Sequence, residues 1–196
     1  MDEIGFKSGF DAVRFALCYS SQQHGETLMA KRLRGESLGG GMGLIGVDGA
    51  GQAGLIRREL WELSDLQLAV IVARAALHDT PCSCGQACCS KRRPNIEWQA
   101  AIAYLVEQSA SKCSGFSHHR VRKAIIEKIF GVKHDLQQIA ADCDAHRNTV
   151  STHYSTVRRW IEGNRKTGET GIEPVVWSLL EQRFDELGLL KSAETA

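Results

Sequence analysis

Residues 134–164 read HDLQQIAADCDAHRNTVSTHYSTVRRWIEGN, and they constrain the fold more than any other stretch of the chain. Two short helices that cross closely need a small residue at the crossing and apolar residues to seal it. They also need a turn residue that tolerates positive φ. Ile139 and Ala140 supply the apolar and small pair, and Val150, ten residues after Ala140, stands where the second segment seals onto the first. Asp144 falls at the turn position that usually holds Gly, and Asp is among the non-glycine residues that best accept left-handed backbone. Val157 and Trp160 continue the apolar stripe. The pattern predicts a helix-turn-helix over 135–161, its second helix beginning near His146.

The outer face of that second helix carries His146, Arg147, Asn148, Ser151, Thr152 and Ser155. These are short or bidentate hydrogen-bonding side chains, the types that read base edges from a helix lying in the major groove. Arg158 and Arg159 follow at the far end, suited to phosphates. An ordinary helical hairpin with a solvated polar face would show the same residue types, so the local charge matters. Residues 118–166 hold ten Lys/Arg against five Asp/Glu, whereas residues 1–117 hold twelve of each and residues 167–196 hold two against six. The positive charge is confined to the segment that would face nucleic acid. Double-stranded DNA is the partner these features predict.

Elsewhere the periodicity is helical. GFDAVRFALCYS places Phe6, Phe10, Val13 and Leu17 on one stripe, and GETLMAKRLRG reads as a second short helix. Ser64 and Gln67 match a capping box ahead of LQLAVIVARAAL. Pro94 and Asn95 prepare IEWQAAIAYLVEQS, with Trp98, Ile102, Leu105 and Val106 inward. Ser117 can cap HHRVRKAIIEKIF, with Gly131 and Gly188 as stops for that helix and the last one. Strand signals are almost absent, so the chain reads as all-α. Between Gly35 and Gly54 lie nine glycines, which favour neither helix nor strand. The expected organisation is N-terminal helices over 1–34, a long flexible Gly-rich loop over 35–54, a helical body over 55–190 and a tail over 191–196. The loop lacks the phosphate cradle of a nucleotide-binding chain.

The body is interrupted at 82–93 by a cysteine-rich turn. Cys82, Cys84, Cys88 and Cys89 crowd into eight residues and are followed by Lys91, Arg92 and Arg93. Zinc takes four thiolate or imidazole ligands in a tetrahedron. Cys82, Cys84 and either Cys88 or Cys89 offer three, with His78 or Cys113 as candidates for the fourth. One structural zinc and a metal-free tight turn both fit the spacing. A redox role lacks the C-x-x-C on a strand-helix turn that it needs.

No apolar run approaches the ~20 residues that cross a bilayer, so no membrane association is expected. The N-terminus MDEIGFKSGFDAVRF has no signal-peptide core. Clustered cysteine without such a signal points to a reducing, cytoplasmic setting. Motifs for hydrolases, zinc proteases and deaminases are missing, so an enzyme is not expected.

The segment PCSCGQACCS, followed by LQQIAADCDAHRNTVSTHYSTVRRW and preceded by the glycine-rich GESLGGGMGLIGVDGAGQAG, resembles the Q-type antitermination factors of lambdoid bacteriophages and their AlpA-like bacterial relatives. The likeness spans roughly 35–190 by order of elements. The lambda-type relative carries paired C-x-x-C motifs where this chain has C-x-C-x3-C-C. The resemblance implies a factor that binds promoter-proximal DNA and loads onto paused RNA polymerase with its primary sigma factor. It then narrows the exit channel of the nascent RNA so that terminators fail. It makes the glycine-rich stretch a candidate polymerase contact, through Met42, Leu44, Ile45 and Val47. A conventional helix-turn-helix repressor or activator, or a sigma-like regulator, is the alternative.

Overall fold

The computed structural model describes residues 5–23, 29, 48–82, 84, 86, 89–112 and 118–191. Eight helices account for most of the described residues: α1 (Gly9–Gln23), α2 (Asp48–Trp61), α3 (Asp65–Ala75), α4 (Ile96–Lys112), α5 (His119–Ile129), α6 (Leu136–Asp142), α7 (Arg147–Glu162) and α8 (Ile172–Glu186). Two antiparallel pairs of very short strands join them. The first is β1 (Asp79–Pro81) with β2 (Arg92–Pro94), the second β3 (Gly163–Asn164) with β4 (Glu169–Thr170). Of the all-α expectation the predominance of helix holds, and the two short hairpins are additions to it.

The helices form because local signals and burial agree. Ser64 caps α3 through a complete capping box with Gln67. Seven of the eleven α3 residues are buried, so this helix runs through the core rather than over it. Asn95 accepts the N–H of Glu97 at 3.0 Å and starts α4, whose Trp98, Ile102, Leu105 and Val106 are buried. At the other ends, Gly131 and Gly188 follow α5 and α8 with φ of 100° and 65°. A single apolar cluster runs from Val13 and Leu17 of α1 through Leu68 and Ile71 of α3 to Val157 of α7 and Phe184 of α8. Phe6 and Lys191 close the termini: the Phe6 N–H donates to Leu189 O at 2.8 Å, and the Lys191 N–H to Phe6 O at 2.9 Å.

Two corrections concern the glycine-rich stretch and the capping of α5. The expectation of a flexible loop over 35–54 does not hold from Asp48 onward, because α2 includes Asp48, Gly49, Gly51 and Gly54. Each helical glycine costs about 1 kcal/mol relative to alanine. Burial of Ala53, Ile56 and Leu60 offsets that cost. At Gly49 a side chain would crowd Phe15, since a Cβ there would lie 3.2 Å from its ring. Residues 35–47, including Met42, Leu44, Ile45 and Val47, lie outside the described residues. So do Ser117, the tail beyond Lys191, and the predicted second helix except Met29, which is buried in the core. The residue at the N-cap of α5 is His118, and its side chain makes no capping bond.

Candidate metal centre and candidate nucleic-acid interface

The cysteine segment is held by the β1–β2 hairpin. Thr80 pairs with Arg93 and Pro81 with Arg92, and the Cys82 N–H extends the ladder to Lys91 O at 2.9 Å. The Cys89 N–H turns back to Gln86 O at 3.1 Å. Lys91 takes a φ of 60°, left-handed for a side chain with a Cβ, and this bends the return strand. The result brings the sulfurs of Cys82, Cys84 and Cys89 within 4.8 Å of one another. Thiolates around one tetrahedral zinc lie about 3.8 Å apart, as the ~2.3 Å Zn–S bond dictates. The three side chains therefore need to close by an ångström at most to hold a metal ion.

The thiols already interact. The Gln86 N–H, followed by the Cys89 and Cys82 thiols, holds Cys84 below its ordinary range. For Cys82, the Cys84 backbone N–H pulls downward, but the thiols of Cys84 and Cys89 outweigh it and raise the value. A thiol held below its ordinary range beside two others suits a metal site, since the thiolate is the form that ligates a metal.

Of the expected ligands, Cys82, Cys84 and Cys89 converge. Cys88 and Cys113 lie outside the described residues. His78 does not join them. Its Nε2 meets Phe130 O at 3.1 Å and its ring packs on Trp98 at 4.5 Å between centroids. It fastens the hairpin to the end of α5 instead.

The second site is built by α6 and α7. Asp135 caps α6 by accepting the Gln137 N–H at 3.1 Å. The chain then turns through Asp144, whose φ is 51°, in the left-handed region expected of it. The Ala145 N–H reaches Ala140 O at 2.9 Å, closing the turn. His146 begins α7 as its N-cap, its Nδ1 accepting the Asn148 N–H at 3.2 Å. Ile139, Ala140 and Val150 are buried where the two helices meet. Val157 and Ile161 are fully buried further along α7, while Trp160 is half-buried.

The opposite face of α7 is open. His146, Arg147, Asn148, Ser151, Thr152, Ser155, Arg158 and Arg159 are all exposed. Their hydrogen-bonding capacity is unequal. The Ser155 hydroxyl donates to Ser151 O at 3.0 Å, leaving only its lone pairs. Arg158 Nε pairs with Glu162 Oε2 at 2.6 Å, and this carboxylate raises the Arg158 pKa. Arg159 Nε pairs with Glu169 Oε2 at 3.4 Å. Exposed pairs of this kind contribute about 0–1 kcal/mol, so a phosphate competes with them on even terms.

Sequence reasoning missed two features here. One is the basic hairpin β3–β4 after α7, with Arg165 and Lys166 at its turn. Its signal was the run GNRKTGETG, where glycines flank a basic dipeptide. The other is Arg74, which holds Glu173 through two hydrogen bonds of 2.6 and 2.7 Å across 99 residues, a pairing that no local pattern announces. No family model, curated protein or solved structure matches the chain.

Proposed function

We propose that the protein is a transcription factor that binds promoter-proximal duplex DNA through a helix-turn-helix made by α6 and α7, loads onto RNA polymerase with its primary sigma factor, and acts as an antiterminator. One observation carries the DNA reading, the two-sided character of α7. Val150, Val157 and Ile161 are fully buried on one side. Arg147, Asn148, Ser151 and Thr152 are exposed on the other. A tight turn and a short supporting helix hold α7 by its buried side, which leaves the open side to enter a groove. Arg147 suits guanine and Asn148 adenine, each as a bidentate partner.

The antitermination half of the proposal rests on the resemblance of the cysteine segment and the unit that follows it. In it, Met42, Leu44, Ile45 and Val47 meet the polymerase near the exit channel of the nascent RNA. Cys82, Cys84 and Cys89 hold one structural zinc, with Cys88, Cys113 or water in the fourth position. The zinc steadies the turn between α3 and α4, and catalysis has no part in the proposal.

The test is single-round transcription over a template with a promoter, a pause and an intrinsic terminator, run beside a duplex-binding assay. Read-through that depends on the protein supports the whole proposal. Duplex binding without read-through leaves a conventional repressor, activator or sigma-like regulator. Failure to bind any duplex overturns the reading of α7.

A further inference from the structure

The segment after α7 builds a second basic surface that the helix-turn-helix does not use. β3 and β4 form a hairpin whose turn is Arg165–Gly168. Its base is clamped. A Cβ on Gly171 would lie 2.2 Å from Gly163 N and 2.3 Å from Ile161 O, so backbone meets backbone there. The turn is closed locally, since Asn164 Oδ1 accepts the Lys166 N–H at 3.0 Å and Asn164 O the Thr167 N–H at 3.2 Å. The Arg159–Glu169 pair ties the hairpin to the side of α7. The hairpin is therefore a fixed projection from the end of the helix.

Between it and α7 lies an open cleft of about 690 Å³, bordered by Tyr154, Arg158, Arg159, Asn164, Arg165 and Lys166. The charges facing it are four basic side chains and one carboxylate, Glu162. Arg158 is paired with Glu162 and Arg159 with Glu169. Arg165 and Lys166 are exposed and have no ion pair among the described residues, so the surplus positive charge of the cleft is theirs.

We propose that the β3–β4 hairpin is a second DNA contact, in which a phosphate of the duplex backbone enters this cleft and is held by Arg165 and Lys166. The inference rests on the DNA reading of α7 and extends it. The cleft adjoins the open face of α7, so a duplex held by that face brings its backbone toward the hairpin. A phosphate there meets a guanidinium and an ammonium that no carboxylate already occupies. Contacts of this kind set orientation and affinity and carry no sequence information.

The experiment uses the full chain and a duplex selected from a random pool by the unaltered protein. Affinities for this duplex and for a scrambled one are measured by fluorescence anisotropy across about 50–200 mM salt. The variant is Arg165→Gln with Lys166→Gln. Both side chains are exposed, and its circular dichroism and Tm are checked against the parent. Each phosphate contact contributes about 0.9 to the slope of log K against log salt. The variant is expected to lose close to one such contribution, since both side chains serve the same phosphate, with the ratio of selected to scrambled affinity unchanged. A parent that binds duplex and a variant with the same slope and affinity would overturn the hairpin contact alone. A variant that loses discrimination instead would show that the hairpin reads bases, which also overturns the proposal. A parent that binds no duplex, or only single-stranded RNA, removes the DNA reading and this inference with it.

Discussion

Arg147 and Asn148 stand in the first turn of α7, exposed, with neither side chain bonded to another described residue. Their removal should therefore leave the fold untouched. A good bidentate base contact is worth about 1–3 kcal/mol of discrimination, or roughly 5- to 150-fold in affinity. Arg147→Ala and Asn148→Ala should each reduce binding to a selected duplex by that range while Tm stays within a degree or so of the parent. Equal affinity in both variants would show that the outer face of α7 is merely wet. Cys84 is the corresponding test residue of the candidate metal centre. It is the exposed member of the three, and the Gln86 N–H lowers its pKa. A thiol with lowered pKa is a thiolate over a wider range of pH and alkylates earlier as pH rises. In metal-free protein, iodoacetamide should label Cys84 before Cys82, whose pKa is raised, when peptides are read by mass spectrometry across rising pH. One equivalent of zinc should protect Cys82, Cys84 and Cys89 together. Labelling that zinc does not slow would leave a metal-free turn.

At the scale of elements, the base of the β3–β4 hairpin has the closest backbone approach found at any described glycine. Gly171 has no room for a Cβ, with backbone of Gly163, Ile161 and Glu162 all within 2.5 Å of where it would sit. Gly171→Ala should cost about 1–3 kcal/mol through overpacking, seen as a lower Tm in thermal unfolding. Gly168→Ala is the contrast. Nothing lies within 4 Å of its Cβ position, and only its φ of 72° opposes the substitution, by about 1 kcal/mol. Equal losses in both would mean that the base is looser than it stands. Elements of this kind also show where the sequence was legible. The capping box at Ser64 and Gln67, the left-handed turn at Asp144 and the start of α7 at His146 are set by side chains within a few residues, so the pattern contained them. The helical start of α2 was not legible, because its glycines are offset by the burial of Ala53, Ile56 and Leu60 in the shared core, and Gly49 lies against Phe15 of α1, more than thirty residues away. His78 is one of two candidates for a fourth ligand by sequence since it precedes the cysteines, whereas its partner is Phe130 O, 52 residues on. The cysteines were placed together by spacing alone, but only the β1–β2 pairing brings three of their sulfurs within reach of one ion.

At the scale of the molecule, α6 and α7 are parts of a larger packed body rather than an appended module. α5 and α8 both pack on α7, and α8 also packs on α1, α2 and α3, so one apolar core passes beneath the candidate interface. Arg74 of α3 is the polar strut across this joint. It is bidentate to Glu173 of α8 at 2.6 and 2.7 Å and donates to Ile129 O of α5 at 3.0 Å. It also reaches Glu162 of α7 at 3.4 Å and lies over the Phe130 ring at 4.8 Å. Burial opposes its charge, but Glu173 and Glu162 outweigh that and raise its pKa. Removing one partner of such a pair leaves the other carboxylate poorly compensated, at a cost of 3–5 kcal/mol when both are deeply buried. The Arg74 and Glu173 side chains keep 26% and 12% of their exposure, so about 2–3 kcal/mol is the fitting range for Arg74→Met. In a chain of this size that corresponds to a Tm lower by roughly 4–12 °C. Because α8 bridges both halves through Val176, Leu180 and Phe184, all fully buried, unfolding should remain one transition rather than split in two. Adding Glu173→Gln should recover part of the loss, since the neutral amide no longer needs the guanidinium. At 25 °C the variant should still bind a selected duplex like the parent, because no side chain on the open face of α7 touches Arg74 directly. A Tm change below a degree would reduce Arg74 to a surface pair. Two separate transitions in the parent would show that α5–α8 fold apart from α1–α4.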